Sequence, residues 1–488
     1  MNLRVISRNV GMALLVSALF MLLSIVVSLL DGGDSALAAL SISFIITFIV
    51  GAFPFIFVRS NQAISLREGY VIIVLAWLLS FIFGMLPYAL YGEPFTVANA
   101  WFESVSGFTT TGASILEDIE ALPRSLLFWR SSTHFIGGLG VVVFLLLIIP
   151  DSSPVRLRLT HMEVSSLSRE NYRFRSRKTV NIFASVYLFI VGAAFFSYWA
   201  AGMSPFDAVN HAMSVGATGG FSTRNLSIGA FHSVTIDIIT IVFMVLGSIH
   251  FGLLYLSFAT RSLRPLRNPV IKFYLLILVL FTLMCAGSLR VNGIADTWGK
   301  ALLDSSFHVT SYASTTGFAI SDNASWGMMP SMLLLIVSII CGCAGSTTGG
   351  VKVDRILVLN KAVRRQIFTT LNPRSVRDIR MGNSYLREEE VYPHVLFLLV
   401  YLLFLILSMV LALILMPENT MDAVYGSISC LGTVGPSVGD TIGSMGNYNS
   451  QPAALKVLFT LDMFLGRVEI YPVLAVIAMM THVKTKKS

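Results

Sequence analysis

The hydrophobic positions of this 488-residue chain gather into long runs separated by short polar stretches. A helix needs about 20 apolar residues to cross the hydrocarbon core of a bilayer. Ten runs come near that length: 11–30, 39–58, 71–91, 126–149, 179–200, 233–258, 272–289, 331–356, 394–416 and 453–481. From the third run onward one order repeats four times. A long run is followed by a shorter, moderately apolar stretch, a Thr/Gly string, a polar interval and a second long run. The repeats cover 71–149, 179–258, 272–356 and 394–481. The pattern predicts an all-α polytopic membrane protein with four span–short-helix–loop–span repeats around a central pathway and two extra N-terminal spans. The chain then divides at 1–60, 61–150, 151–260, 261–356 and 357–488.

The four strings are Thr110-Thr111-Gly112, Thr218-Gly219-Gly220, Thr315-Thr316-Gly317 and Thr433-Val434-Gly435. Their glycines lie 108, 97 and 118 residues apart. Thirteen residues before each glycine stand Asn99, Asp207, Asp304 and Asp422, residue types that cap helices by accepting from free backbone N–H groups. Six before stand Ser106, Ser214, Ser311 and Ser429. Thr and Gly are common here, so one string alone carries little; four in register carry a reading. Each short capped helix would aim its partly negative C-terminus at the loop, favouring a cation there. Glycine permits the turn that aims carbonyls inward. Threonine hydroxyls add oxygens. Rings of backbone carbonyls replace an ion's water without fixed charge, so the ion can also leave. Glu103, His211 and His308 share the position nine before the glycine, which suggests a packing site behind the loops.

Composition narrows the class. At 55% hydrophobic and 12% charged, the chain is no ordinary soluble enzyme. Seven Lys/Arg fall in 151–178, four in 260–272 and nine in 352–392, with more at both termini. The positive-inside rule puts these segments and both termini in the cytoplasm, so all four loops open from the outer face. The net charge of +8 follows from this topology rather than from nucleic-acid binding. The first run reads as an anchor, because Leu29-Leu30-Asp31-Gly32 offers no small-residue cleavage site. Cys285, Cys341, Cys343 and Cys430 fall in membrane segments and support neither a disulfide framework nor a zinc site. No intramembrane-enzyme motif and no nucleotide-binding Gly-rich unit occurs. A fourfold parallel repeat favours a pore over the two inverted repeats common in alternating-access carriers.

A second feature lies within 331–356. Gly342, Gly345, Gly349 and Gly350 are joined by Ser346, Thr347 and Thr348. Each interior glycine costs a helix about 1 kcal/mol relative to alanine. Residues 331–341 rise only about 16 Å at 1.5 Å per residue, so the break falls near mid-membrane, well past the loops. Either a small-residue helix interface or a flexible polar loop across the pathway would use this composition. Arg467, in the middle of the last span, favours the loop, since an arginine there costs about 2.5–3.5 kcal/mol on insertion scales. Gly345 lies 28 residues after its string glycine and Arg467 lies 32 after its own, which predicts similar depth. Arg467 is expected to donate to loop carbonyls and repel cations in a closed state; the alternative is an ion pair with Asp462 or Glu469. The first two repeats show neither a broken helix nor a buried arginine. His134, His250 and Glu103 read as inter-helix hydrogen-bond partners.

These strings, together with Gly342-Cys343-Ala344-Gly345-Ser346-Thr347-Thr348-Gly349-Gly350 and Gly466-Arg467-Val468-Glu469-Ile470, resemble the Trk/Ktr/HKT superfamily of potassium transporters. The two extra N-terminal spans resemble its TrkH branch, and the resemblance covers essentially the whole chain. It implies potassium, bound at the twelve string residues, as the transported ion, with no covalent cofactor. Gly112, where sodium-leaning members carry serine, implies potassium preference. The resemblance also implies a gate formed by residues 345–350 and Arg467, a homodimer with one pore per subunit in a bacterial cytoplasmic membrane, and a cytosolic ring-forming nucleotide-binding partner docked on the basic loops. A sodium-permeable or proton- or sodium-coupled transporter remains the alternative.

Overall fold

In the computed structural model of the chain, the described residues are 2–58, 64–148, 176–374, 378–381, 384–386, 388–439 and 441–485. Most of the basic segment 151–178 and the terminal Lys486 and Lys487 lie outside them. Two N-terminal helices, α1 (Leu3–Leu30) and α2 (Leu37–Phe57), come first. They pack through small residues: a Cβ on Gly11 would fall 2.6 Å from the Gly51 carbonyl oxygen. Leu19, Phe48, Ile56, Leu276 and Leu403 stand exposed on the outer helices. Apolar area of that extent suits lipid and not water.

Four segments of one order follow. Helices α3 (Leu66–Gly84) and α4 (Leu86–Tyr91) lead to the short α5 (Val97–Phe108) and then α6 (Arg124–Ile148). Next come α7 (Ser176–Ala200), the short α8 (Pro205–Gly216), α9 (Val234–Ser248) and α10 (Phe251–Ala259). The third segment holds α11 (Pro269–Val291), the short α12 (Trp298–Ala313), α13 (Met328–Ile340) and α14 (Val353–Leu371). After a small antiparallel hairpin of Ile379–Met381 and Ser384–Leu386, the last holds α15 (Glu388–Leu415), the short α16 (Thr420–Gly432), α17 (Ala453–Arg467) and α18 (Tyr471–Thr485). Each outgoing helix packs on the next short helix: α6 on α8, α9 on α12, α13 on α16, and α17 on α5, which closes the circle.

The short helices are capped one position class earlier than the residues singled out from sequence. Thr96, Ser204, Thr297 and Asn419 are the caps, and their side chains accept from the N–H groups of Asn99, Asp207, Lys300 and Asp422. Asn99, Asp207 and Asp422 are therefore the third residues of their helices, which donate to the cap rather than supply it. Asp304 lies deeper still, because α12 runs 16 residues where α5 and α8 run 12.

Among the described residues six helical stretches are long and apolar enough to cross a membrane: α1, α2, the α3–α4 stretch Arg67–Tyr91, α7, α11 and α15. Every outgoing helix is interrupted, which corrects the expectation that only the third and fourth differ. Helix α6 kinks at Gly140 (φ 69°, ψ 153°). Helices α9 and α10 meet at 101°, and α17 and α18 at 104°. Helix α13 stops at Ile340, and the chain resumes helical form only at Val353.

Candidate functional site

At the end of each short helix the chain enters the left-handed region at one equivalent residue: Thr110 (φ 54°), Thr218 (55°), Thr315 (54°) and Thr433 (56°). Two residues on it does so again, at Gly112 (82°), Gly220 (82°), Gly317 (76°) and Gly435 (95°). Left-handed backbone at a β-branched threonine costs about 1–3 kcal/mol and persists only where the surroundings enforce it. The residue between the two turns sends its N–H backwards. Thr111, Gly219, Thr316 and Val434 each donate to the carbonyl of Ser106, Ser214, Ser311 and Ser429 at 2.9 Å. With the N–H groups tied to the helix, the carbonyls are left to face the middle.

The middle is a closed ring. A Cβ on Gly112 would lie 2.1 Å from the Gly219 oxygen, and one on Gly220 2.1 Å from the Thr316 oxygen. A Cβ on Gly317 would lie 2.3 Å from the Val434 oxygen, and one on Gly435 2.2 Å from the Thr111 oxygen. Each glycine thus makes room for a carbonyl of the next loop, and the fourth loop returns to the first. Eight of the twelve string residues make these contacts: Thr111, Gly112, Gly219, Gly220, Thr316, Gly317, Val434 and Gly435. Gly112, Gly220, Gly317 and Pro436 line a cavity together with Glu117 and Arg224. Beside it, Asn225 joins the first two loops, accepting from the Ile119 N–H at 2.6 Å and donating to Asp118 at 2.9 Å.

Groups behind the ring brace each loop differently. Glu103 accepts from Ser114 at 3.0 Å and from the Ile115 N–H at 3.1 Å. It is ion-paired with Arg130 at 2.7 Å, and both are buried. His211 Nε2 meets Ser222 at 2.9 Å. His308 packs on Trp326. The shared position behind the loops is thus a bracing site. Arg130 escaped the sequence reading although it lies inside the run 126–149; the test that picked out Arg467 would have found it. His134 does act between helices, meeting Ser214 at 3.1 Å, and His250 caps the Gly252 N–H at 3.0 Å.

Directly beneath the ring lies the non-helical segment between α13 and α14. It nests in the bend of α9 and α10: Cys343 N donates to Ser248 O at 2.9 Å, Phe251 N to Gly345 O at 2.9 Å, and Thr347 Oγ1 to Gly247 O at 3.1 Å. Ser346 Oγ and Thr348 Oγ1 are 2.8 Å apart. The segment touches the string threonines, which corrects the expectation that it lies well past them. Gly349 N donates to Thr315 Oγ1 at 3.2 Å, and a Cβ on Gly349 would fall 1.9 Å from Thr433 Oγ1. Gly350 is left-handed at φ 66° and packs on Cys341.

Arg467 reaches this segment. It donates to Thr347 O at 2.5 Å and to Gly137 O of α6 at 2.7 Å. It is the last residue of α17 rather than the middle of a continuous span, so the negative end of the helix dipole favours its charge. Glu469 binds Arg355 at 2.5 Å, and Asp462 accepts from Ser408 at 2.5 Å. Lys352, also unmarked from sequence, donates to Thr348 O at 2.5 Å. Two cationic side chains therefore hold adjacent carbonyls of one segment.

These features define a polytopic helical membrane protein built around four inward loops. The chain matches the TrkH family, described as cation transport protein, over residues 37–486. It is 32% identical over 478 residues to "Trk system potassium uptake protein TrkH" of Salmonella typhimurium, covering 97% of this chain and 98% of that one. The Escherichia coli protein of the same name is 31% identical over 478 residues, with the same coverage. The fold also matches the crystal structure of the potassium transporter TrkH from Vibrio parahaemolyticus, with a TM-score of 0.87 and 30% identity over 97% of this chain and 98% of that one. The chain belongs to the TrkH family of cation transport proteins. It is accordingly a multi-pass membrane transporter and not an enzyme.

Proposed function

We propose that the chain conducts potassium across the cytoplasmic membrane through the ring formed by its four loops. One observation carries the reading: each string glycine is filled by the carbonyl of the neighbouring loop, all the way round. A dehydrated cation on the axis would be met by carbonyls from four sides, with no fixed charge to trap it. The names of the relatives, potassium uptake proteins, supply the ion. Segments 61–150, 151–260, 261–356 and 357–488 each contribute one loop, and 1–60 contributes the two extra helices.

The segment 345–350 is the gate, and Arg467 is its latch. A polar loop held under the ring by Arg467 and Lys352 blocks the way and adds positive charge to it. Opening requires the Thr347 carbonyl to leave Arg467. Both termini and the basic segments lie in the cytoplasm, where a ring-forming nucleotide-binding partner docks, and the chain works as a homodimer. Purified protein in potassium-loaded vesicles should accumulate rubidium-86 down its own gradient, and accumulation should persist when a proton gradient is collapsed. No rubidium entry would end the proposal; entry that requires the proton gradient would replace a pore by a symporter.

A further inference from the structure

We propose that the buried Glu103–Arg130 pair is a positioning element. It sets the spacing between the first and second loops of the ring, and through it the discrimination of potassium from sodium. The inference rests on the reading of the ring as the conduction filter. Glu103 stands on α5 and Arg130 on α6, and their side chains are 0% and 1% exposed. Their remaining contacts go to chain just beyond the ring. Glu103 takes Ser114 Oγ and the Ile115 N–H, two and three residues past Gly112. Arg130 donates to Ser114 Oγ at 3.2 Å and to Ser222 O at 3.3 Å, two residues past Gly220. Its guanidinium also lies 4.1 Å from the centre of the Phe221 ring. One ion pair therefore grips two neighbouring loops from behind at matching positions.

The other loops have no equivalent among the described residues. The second has the His211–Ser222 contact and an ion pair of Asp207 with Arg224 at 2.9 Å, in which Arg224 is 40% exposed. The third carries Ala319 where a serine would be, and is tied through its backbone to Ser227 and Gly229. The fourth is held by Tyr312 on Ser437 O at 2.5 Å and Tyr448 on Gly435 O at 2.8 Å. Asp422 also accepts from the Thr441 N–H at 3.3 Å beyond the fourth loop, but none of these contacts is an ion pair with both partners fully buried. A buried ion pair differs because neither partner can leave without stranding the other. Sodium, the smaller ion, is bound well only if carbonyls can close in. A brace that denies the first two loops that movement penalises sodium and spares potassium.

The test is rubidium-86 uptake into vesicles at rising sodium, with wild type, Glu103→Gln, Ser114→Ala and Gly112→Ser. Wild-type uptake resistant to sodium, and loss of uptake in Gly112→Ser, whose Cβ would meet the Gly219 oxygen, check the filter reading itself. Glu103→Gln should lower the sodium concentration that halves uptake by about tenfold, the effect of one lost charge-assisted contact. Ser114→Ala, which keeps the ion pair and removes only its shared hydroxyl, should move it the same way by less. A merely structural role would reduce rubidium and sodium entry together and leave their ratio fixed. If Gly112→Ser abolishes uptake while Glu103→Gln and Ser114→Ala leave the ratio unchanged, the pair does not set selectivity. If Glu103→Gln does not fold, Ser114→Ala alone decides.

Discussion

The loop ring and the layer directly beneath it obey different rules. In the ring four segments do one thing: the same left-handed threonine, the same N–H turned back at 2.9 Å, the same glycine filled by a neighbour's oxygen. Beneath it, four outgoing helices break in three ways: a kink at one glycine, two sharp bends, and a long non-helical segment. Coordination of a cation needs oxygens from all sides, so every loop is held to one geometry. An obstruction needs only one element across the path, so the other three interruptions are released from that duty and serve as its seat. On the proposed function, equivalence serves conduction and inequality serves control.

Four measurements would break or sharpen that contrast. Alanine at Gly112, Gly220, Gly317 or Gly435 adds a methyl group to left-handed backbone, about 1–2 kcal/mol, and also drives it into a carbonyl. Transport should fall on the order of a hundredfold for each, in rubidium uptake by folded protein. One glycine that tolerates alanine would show that the ring is not fourfold in function. In the lower layer, Arg467→Ala removes a charge-assisted contact of about 1.5–3 kcal/mol, so basal flux should rise roughly tenfold or more. Deletion of 345–349 should do the same; unchanged flux in both would sink the gate.

The caps come next. Thr96→Ala, Ser204→Ala, Thr297→Ala and Asn419→Ala should each cost about 1 kcal/mol of stability, read as detergent melting curves. Near-equal losses would extend the equivalence of the ring to the helices behind it. The smallest effect concerns Asp118. The hydrogen bond from Asn225 holds its carboxyl below the usual carboxylate value, with slight desolvation working against this and the Ala121 and Glu120 N–H groups adding to it. Its contribution is therefore present above the ordinary Asp value of about 3.9 and fades as pH falls through the lower folded value. Melting temperature should show a slight acid-side drop that Asn225→Ala abolishes.

Much of this was written in the chain. The four strings and the glycine cluster at 342–350 stand out because backbone geometry restricts residue type. Arg467 stands out because a charge in an apolar run is conspicuous. Arg130 obeys the same rule but is hidden by Ser131, Ser132 and Thr133, which make its surroundings look like an ordinary polar turn of helix. The caps were placed three residues late because Asn99, Asp207 and Asp422 are themselves good cap types, while the true caps lie in less apolar sequence. The bend between α9 and α10 follows Gly247-Ser248, too weak a signal against a long hydrophobic run. That Gly435 meets Thr111 is a fact of tertiary closure, and no local pattern encodes it.

That last contact also governs how the molecule can be made. Gly435 and Thr111 are separated by more than three hundred residues, and the ring is complete only when they meet. A ribosome delivers the first three loops long before the fourth. Until α16 and α17 enter the bilayer, the Thr111 carbonyl and the slot at Gly317 face an open side with no partner from their own chain. Insertion therefore ends with a single late step, the arrival of the last segment, and a chain stopped short of it holds three loops of the ring with one side open.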